Sequence, residues 1–255
     1  MNKFSGKTVF VTGGSSGIGY ATVKAFANEG ANLLICARRS EKLEFLKDEL
    51  SNSNIKVISL DVRNQNEVKN TLENLPNQWK SIDILVNNAG LSRGLDYFQN
   101  GDINDWDEMI DTNVKGLLYI SRVVIPRMID RKTGHIINIG SIAGHEVYPK
   151  GNVYCASKFA VDGITQGMRI DLNGTGIKVT SIDPGLVETE FSLVRFHGDE
   201  VKAKLPYQGM TPLTPEDVAD AIIYAASRPA NVVINEIVIM PIAQSSATIV
   251  KRDLI

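Results

Sequence analysis

Tyr154 and Lys158 stand four residues apart in the stretch Gly151-Asn152-Val153-Tyr154-Cys155-Ala156-Ser157-Lys158. On a helix that spacing raises both side chains from one face, a turn apart. An ammonium beside a phenol favours the phenolate and lowers the phenol from its ordinary pKa of about 10. Such a tyrosine can take and return a proton near neutral pH. Taken alone, the pair means little, since it also describes a tyrosine packed against a snorkelling lysine. Its meaning therefore depends on what else the chain brings to it.

The second chemical signal lies near the N-terminus. Lys7 to Thr12 is a short apolar run, followed by Gly13-Gly14-Ser15-Ser16-Gly17-Ile18-Gly19. A helical pattern with Ala21, Val23, Ala25, Phe26 and Ala27 then stops at Gly30, and Ala31 to Cys36 is a second apolar run. Strand, glycine turn, helix and strand form the opening of a dinucleotide-binding βαβ unit. Glycines let the backbone approach a pyrophosphate, and the helix N-terminus offers it free N–H groups and a positive dipole end. The alternative is a tight glycine turn with no ligand.

These residues need a scaffold, and the remaining chain supplies one. Strand-like runs recur at Lys56 to Leu60, Ile82 to Val86, His135 to Ile139, Lys178 to Ile182 and Val232 to Met240. Helical patterns lie between them at Glu41 to Leu50, Glu67 to Leu75, Asp105 to Asp130 with a kink expected at Pro126, Asn152 to Leu172, and Pro215 to Ala226 with Thr214 as its cap. About seven strands thus alternate with six helices. The strands are continuously apolar, as expected when both faces are covered. The expected fold is α/β: a single doubly wound (Rossmann) domain over residues 1–255, with a seven-stranded parallel sheet flanked by helices. The irregular stretch 186–214 is too long for a plain connection and reads as a lid over a site.

In such a sheet, ligands bind beyond the carboxyl ends of the strands. The polar and glycine-rich signals fall there strand after strand: the glycine turn, Arg38-Arg39, Asp61, Asn87-Asn88-Ala89-Gly90, Ser141 and Pro184-Gly185. The second strand ends at Ala37, where NAD sites usually carry an acid for the ribose 2′-hydroxyl. Two arginines follow instead, and a guanidinium pairs well with a 2′-phosphate. The expected cofactor is NADP, held by Arg38 and Arg39, with Asp61 accepting from the adenine amino group and Val62 packing on the ring.

Composition excludes several other classes. The chain is 43% hydrophobic and 22% charged with a net charge of −2, which gives no electrostatic case for nucleic acid. No apolar run approaches a membrane span; Val232 to Ala243 is broken by Asn235, Glu236 and Pro241. The first strand begins too early to leave room for a signal peptide. Two cysteines, Cys36 and Cys155, make no disulfide framework and suit a cytoplasmic protein. The three histidines show no metal-ligand spacing, so no metal is expected.

The motifs together resemble the short-chain dehydrogenase/reductase family. The matching pieces are Thr12 to Gly19, Asn87 to Gly90, Asn113, Ser141, Tyr154-x-x-x-Lys158 and Pro184-Gly185, in the family's order and spacing over essentially the whole chain. The resemblance implies that Tyr154 is the general acid/base and that Lys158 lowers its pKa and holds the nicotinamide ribose. Ser141 would hydrogen-bond the substrate oxygen, and Asn113 would position a water that links Lys158 to solvent. Gly13, Ser15, Ser16, Gly17, Ile18, Gly19, Asn87, Ala89, Gly90, Pro184, Gly185, Val187 and Thr189 would line the cofactor, together with Tyr154 and Lys158.

Further segments are similar to the NADP-dependent 3-hydroxy acid dehydrogenases within that family: Asn77-Gln78-Trp79, Gly151 to Tyr154, Pro184 to Val187, Glu190 to Asp199 and Leu213 to Val218. That group oxidises serine, allo-threonine and related 3-hydroxy acids, reduces the matching semialdehydes and is typically tetrameric. Arg195, in the expected lid, would hold the substrate carboxylate beside Ser141 and Tyr154. His145, Glu146 and Tyr148 line the pocket or form a plain loop. The apolar last strand and the tail from Pro241 to Ile255 could serve a homotetramer interface. Competing readings are a reductase for another ketone, aldehyde or 3-oxoacyl substrate, and an NADP-binding regulatory protein. Loss of Tyr154 or Lys158 would mark the latter, and both are present.

Overall fold

Seven apolar runs become seven parallel strands. In the computed structural model, which describes residues 2–253, these are β1 (Thr8–Thr12), β2 (Asn32–Ala37), β3 (Ile55–Ser59), β4 (Ile84–Asn87), β5 (Gly134–Ile139), β6 (Ile177–Pro184) and β7 (Glu236–Ile239). Their order is β3-β2-β1-β4-β5-β6-β7, parallel throughout. The chain runs outward from β1 to β3 and then returns to the other side of β1 with β4. That reversal opens a crevice at the carboxyl ends of β1 and β4, the switch point where such sheets bind ligands.

The helices are α1 (Gly17–Asn28), α2 (Ser40–Glu49), α3 (Gln65–Glu73), α4 (Asn77–Lys80), α5 (Ile103–Ile110), α6 (Leu117–Arg131), α7 (Asn152–Asp171), α8 (Phe191–Arg195), α9 (Glu200–Lys204) and α10 (Pro215–Ala226). They cover both faces of the sheet. On one face Val9 and Val11 pack with Val23 and Phe26 of α1 and with Val218 and Ile222 of α10. On the other, Phe10 and Leu34 pack with Leu72 of α3 and with Ile120 and Val124 of α6. Alternate residues of one strand thus feed two cores, which is why β1 is buried along its whole length. At the start of α10, Thr214 and Asp217 cap each other reciprocally and Pro215 occupies the first turn.

Three expectations need correction. The long helix from Asp105 to Asp130 is divided: α5 passes through a π-helical turn at Asp111–Gly116 into α6. Pro126 lies inside α6, and the irregularity comes ten residues earlier, where Gly116 meets Val62; a Cβ there would lie 2.6 Å from Val62 Cγ2. The last strand is shorter than expected, because only Glu236–Ile239 pairs with β6, at the sheet edge. The stretch 186–214 is not irregular throughout, since it contains α8 and α9. The last two residues of the expected tail, ending at Ile255, lie outside the described residues.

Candidate active site

The carboxyl ends of the strands enclose a cleft of about 910 Å³, within the range of a cofactor and small-ligand site. Its floor is the glycine turn. Gly13 has φ +68°, and a Cβ there would stand 2.9 Å from Ala89 Cα across the switch point. Gly17, at φ +52°, lies against Thr189, where a Cβ would come within 3.3 Å. Ser16 precedes α1 without a side-chain cap, so the first N–H groups of the helix stay open to an anion. These features fit a dinucleotide: a close backbone approach, an uncapped helix end and a long cleft.

Cations stand at the adenosine end of this cleft. Arg39 reaches over the glycine turn, donating from Nη2 to Ser16 Oγ at 2.8 Å and Ser15 Oγ at 3.3 Å, and from Nη1 to Glu190 at 2.9 Å. Lys42 joins the same carboxylate at 2.6 Å. Arg38 also lines the cleft and lies 3.3 Å from Glu108. Asp61 is gripped by Arg63, with Nη2 at 2.6 Å and Nε 3.0 Å from each carboxylate oxygen. Burial works against its ionisation, but the Arg63 hydrogen bonds and charge outweigh it and hold the carboxyl below its ordinary range. Most of its acceptor capacity is therefore spent within the chain before any adenine amino group arrives.

At the centre, α7 buries both Tyr154 and Lys158. Ser141, at the end of β5, accepts from Ala143 N–H at 3.1 Å and donates to Pro184 O at 3.4 Å. Burial pushes the Tyr154 phenol far above its ordinary range; Tyr148 adds to this, while Arg195 and a hydrogen bond with Ser141 pull the other way. Burial likewise lowers Lys158 to about 8, against the opposing charge of Asp183. The Lys158 ammonium donates to Ile139 O at 2.9 Å and lies 6.0 Å from the centroid of the Tyr154 ring. The expectation that Lys158 depresses the Tyr154 pKa is not met here. Shared burial dominates both groups, and the ammonium is directed at a backbone carbonyl.

Asn113 sits in the π-turn, a local distortion that re-aims one side chain out of helical register. Its Oδ1 accepts from Leu91 N–H at 2.8 Å, and its Nδ2 donates to Leu91 O at 2.8 Å and Ser157 Oγ at 3.0 Å. Both amide hydrogens are thus committed to holding the loop after β4 against α7. The expected bridging water finds no free amide proton on this side chain. Gly90 keeps the space between Asn113 and Lys158 open; a Cβ there would lie 3.3 Å from Asn113 Oδ1 and 3.8 Å from Lys158 Nζ.

The last element is Arg195, which ends α8. Its Nε donates to Ser92 Oγ at 2.9 Å and its Nη2 to Tyr148 OH at 2.8 Å. The guanidinium lies 5.2 Å from the ring centroids of Tyr154 and of Phe191, and 5.9 Å from that of Tyr148. Its Nη1 makes no hydrogen bond among the described residues. An open cationic edge therefore stands beside the candidate acid/base.

The fold brings most of the sequence candidates to this cleft: Gly13, Ser15, Ser16, Gly17, Ile18, Arg38, Arg39, Asp61, Val62, Ala89, Gly90, Ser141, Tyr154, Lys158, Pro184, Gly185, Val187, Thr189 and Arg195. Two expected cofactor residues lie elsewhere. Asn87 is buried and donates to Ser121 Oγ at 3.0 Å and Asn138 Oδ1 at 2.9 Å, because strand alternation turns it to the other face. Gly19 does not line the cleft but permits close packing, since a Cβ there would collide with Gly13 O. Sequence reasoning gave no role of its own to Asn88, whose amide donates to Thr12 O at 2.9 Å and Gly13 O at 3.2 Å and ties β4 to the turn. It missed Ser92 and Arg93. Nor does spacing reveal that donor atoms of His145, Asp183 and Glu236 gather within 4.8 Å of one another behind Ser141.

Comparison with known proteins agrees with this geometry. Residues 7–198 match the model of the short chain dehydrogenase family. The chain belongs to that family. It is 48% identical over 240 residues to an NADP-dependent 3-hydroxy acid dehydrogenase of Escherichia coli strain K12, covering 94% of this chain and 96% of the relative. It is 43% identical over 248 residues to sulfoacetaldehyde reductase 2 of Chromohalobacter salexigens, covering 96% and 98%. Among solved structures, the closed form of a serine dehydrogenase complexed with NADP+ superposes with a TM-score of 0.92 at 46% identity, covering 97% of this chain and all of that one. The protein is thus an oxidoreductase of the short-chain dehydrogenase type on a doubly wound parallel sheet.

Proposed function

We propose that the protein transfers a hydride between NADP(H) and the 3-carbon of a small 3-hydroxy acid, of the serine, allo-threonine or 3-hydroxypropionate type. The observation that carries the reading is Arg195, a guanidinium with an open edge 5.2 Å from the Tyr154 ring. A carboxylate held there leaves the substrate's hydroxyl within a few bonds of Ser141 and Tyr154.

Bound NADP+ would supply the hydride acceptor, and NADPH the donor for the reverse direction. In reduction the Tyr154 phenol gives its proton to the oxygen as the carbonyl is reduced, and in oxidation the Tyr154 phenolate takes the hydroxyl proton as the carbonyl forms. Its buried phenol is protonated at neutral pH, which suits the donating role. Ser141 holds the oxygen on which charge develops. Lys158 would hold the ribose hydroxyls, Arg38 and Arg39 would take the 2′-phosphate, and the uncapped end of α1 would take the pyrophosphate.

Residues 186–214 act as a substrate lid within the single 1–255 domain, because α8 carries Phe191 and Arg195 over the cleft and Tyr207 lines it from beyond α9. The protein works as a homotetramer in the cytoplasm. Exposed apolar side chains support the assembly: Val238 on β7, Ile242 after it, and Phe159 and Ile170 on α7. Two buried free thiols, Cys36 and Cys155, suit a reducing compartment.

The test is a set of initial rates with NADP+ and NAD+ on L-serine, D-serine, allo-threonine and 3-hydroxypropionate. Preference for NADP+ and turnover of at least one acid are expected. Arg195→Ala should raise KM for the acid by roughly 10- to 100-fold, the value of a charge-assisted hydrogen bond. Absence of turnover on every acid sinks the substrate reading. The same guanidinium would take a sulfonate, the group carried by the substrate named for the Chromohalobacter relative, so sulfoacetaldehyde with NADPH belongs on the panel.

A further inference from the structure

We propose that Arg93 and Glu108 form a positioning pair that holds Arg195 in its anion-binding orientation and so set the selectivity for acidic substrates. The inference rests on the reading of Arg195 given above.

Three consecutive residues of the loop after β4 grip the end of α8. Ser92 Oγ accepts from the Arg195 side chain at 2.9 Å. Arg93 Nη1 donates to Val194 O at 2.7 Å. Gly94 N–H donates to Arg195 O at 2.9 Å. The loop therefore fixes the guanidinium, the carbonyl of Arg195 and the carbonyl before it.

A five-residue helix such as α8 cannot sustain itself, and its last carbonyls have no partners within the helix. Val194 O accepts from His197 N–H at 3.3 Å, and the Arg93 guanidinium gives it a second, shorter and charged donor that matches the negative end of the helix dipole. Without it, the loop after β4 holds the backbone at the end of α8 through Gly94 alone.

Arg93 is itself held. Its Nε lies 2.7 Å from Glu108 Oε2, and both side chains are about four-fifths buried. Glu108 projects from α5, whose neighbouring Met109 is anchored in the core beside Leu91 and Tyr154. Burial alone would oppose ionisation of Glu108, but the hydrogen bonds and charges of Arg93 and Arg38 outweigh it, so the carboxylate stays charged. The other oxygen, Oε1, serves Arg38 and Arg63 at 3.3 Å each. One carboxylate thus has a substrate-side oxygen and a cofactor-side oxygen. Arg93 touches only the first, which makes it the discriminating position.

The experiment compares wild type, Arg93→Met, Arg93→Lys and Glu108→Gln as full-length enzymes. The readouts are KM and kcat for 3-hydroxypropionate, inhibition by the unreactive carboxylate propionate, KM for NADP+ and the thermal midpoint. Arg93→Met should raise KM for the acid and the inhibition constant of propionate together by about tenfold or more. Its kcat at saturation should stay within about threefold, and KM for NADP+ within about twofold. Arg93→Lys should recover part of the loss. Glu108→Gln should show the same rise with a raised KM for NADP+, through Arg38. If folded Arg93→Met keeps the wild-type KM and propionate inhibition, or loses kcat and NADP+ binding to the same degree, the pair has no positioning role. If wild type turns over no anionic substrate at all, the reading of Arg195 fails first and takes this proposal with it.

Discussion

Removing the ammonium of Lys158 should make the cofactor-free protein more stable while abolishing its activity. Lys158 is 7% exposed, and its ammonium donates to one described partner, Ile139 O at 2.9 Å. Burial lowers it from 10.5 to about 8. That depression corresponds to roughly 3 kcal/mol of lost stability wherever the group is charged in the unfolded chain and must be charged in the folded one. The sign follows from the order of the two values. The folded pKa lies below the unfolded one, so the unfolded chain binds the proton more tightly. The penalty is fully present below about pH 8 and disappears as the pH rises towards 10.5.

Lys158→Met keeps the apolar stem and removes the charge. It also leaves the Ile139 carbonyl without that donor, at a cost of about 1 kcal/mol. The net expectation is a gain of roughly 2 kcal/mol at pH 7, falling to near zero at pH 10. The assay is urea unfolding of both proteins without cofactor, at pH 7 and pH 10 and at one protein concentration. A variant less stable than wild type at pH 7 would refute the reasoning. So would a gain that does not shrink with pH, which would point to better packing rather than to a relieved buried charge.

Two further outcomes concern Tyr154 in the cleft and the buried His135. Tyr154→Phe should lower kcat by roughly 10²- to 10⁴-fold while NADP+ binding by fluorescence titration stays largely intact; weakened binding of equal size would mean that the phenol serves the cofactor instead. His135 on β5 pairs through Nε2 with Thr180 Oγ1 at 2.7 Å, and the Thr180 hydroxyl donates onward to Ile234 O, so Nδ1 is the bare nitrogen. Burial, helped by Lys178, lowers the ring to about 3. The unfolded chain then takes the proton first, and stability falls by up to about 1.4 kcal/mol per pH unit below about 6.5. His135→Leu should flatten the loss of stability between pH 6.5 and 5; an unchanged slope would assign acid sensitivity to other groups.

The strand count, the parallel sheet and the place of the cleft were legible because each rests on local pattern. Val9, Phe10 and Val11 are apolar in succession because the strand is covered on both faces. Gly13 and Gly17 follow because only glycine fits that turn at positive φ. The π-turn at Asp111–Gly116 was not legible. It closes where Gly116 packs against Val62, a contact that no local periodicity encodes. Asn87 was misplaced for a related reason: motif order suggested the cofactor, but the face to which a strand residue points is settled by its register against β5.

The sequence by itself determined which chemical groups exist and which of them share a helix or a turn. Tyr154 and Lys158 on α7, the glycines before α1 and the arginines after β2 all follow from spacing of a few residues. Tertiary structure decided what those groups face. It directed the Lys158 ammonium at Ile139 rather than at the phenol, spent the Asn113 amide on Leu91 and Ser157, and brought Arg195 from far along the chain to the Tyr154 ring. Burial then set their protonation. The dielectric around a side chain is made by residues distant in sequence, so spacing can name the acid and the base but not their pKa values.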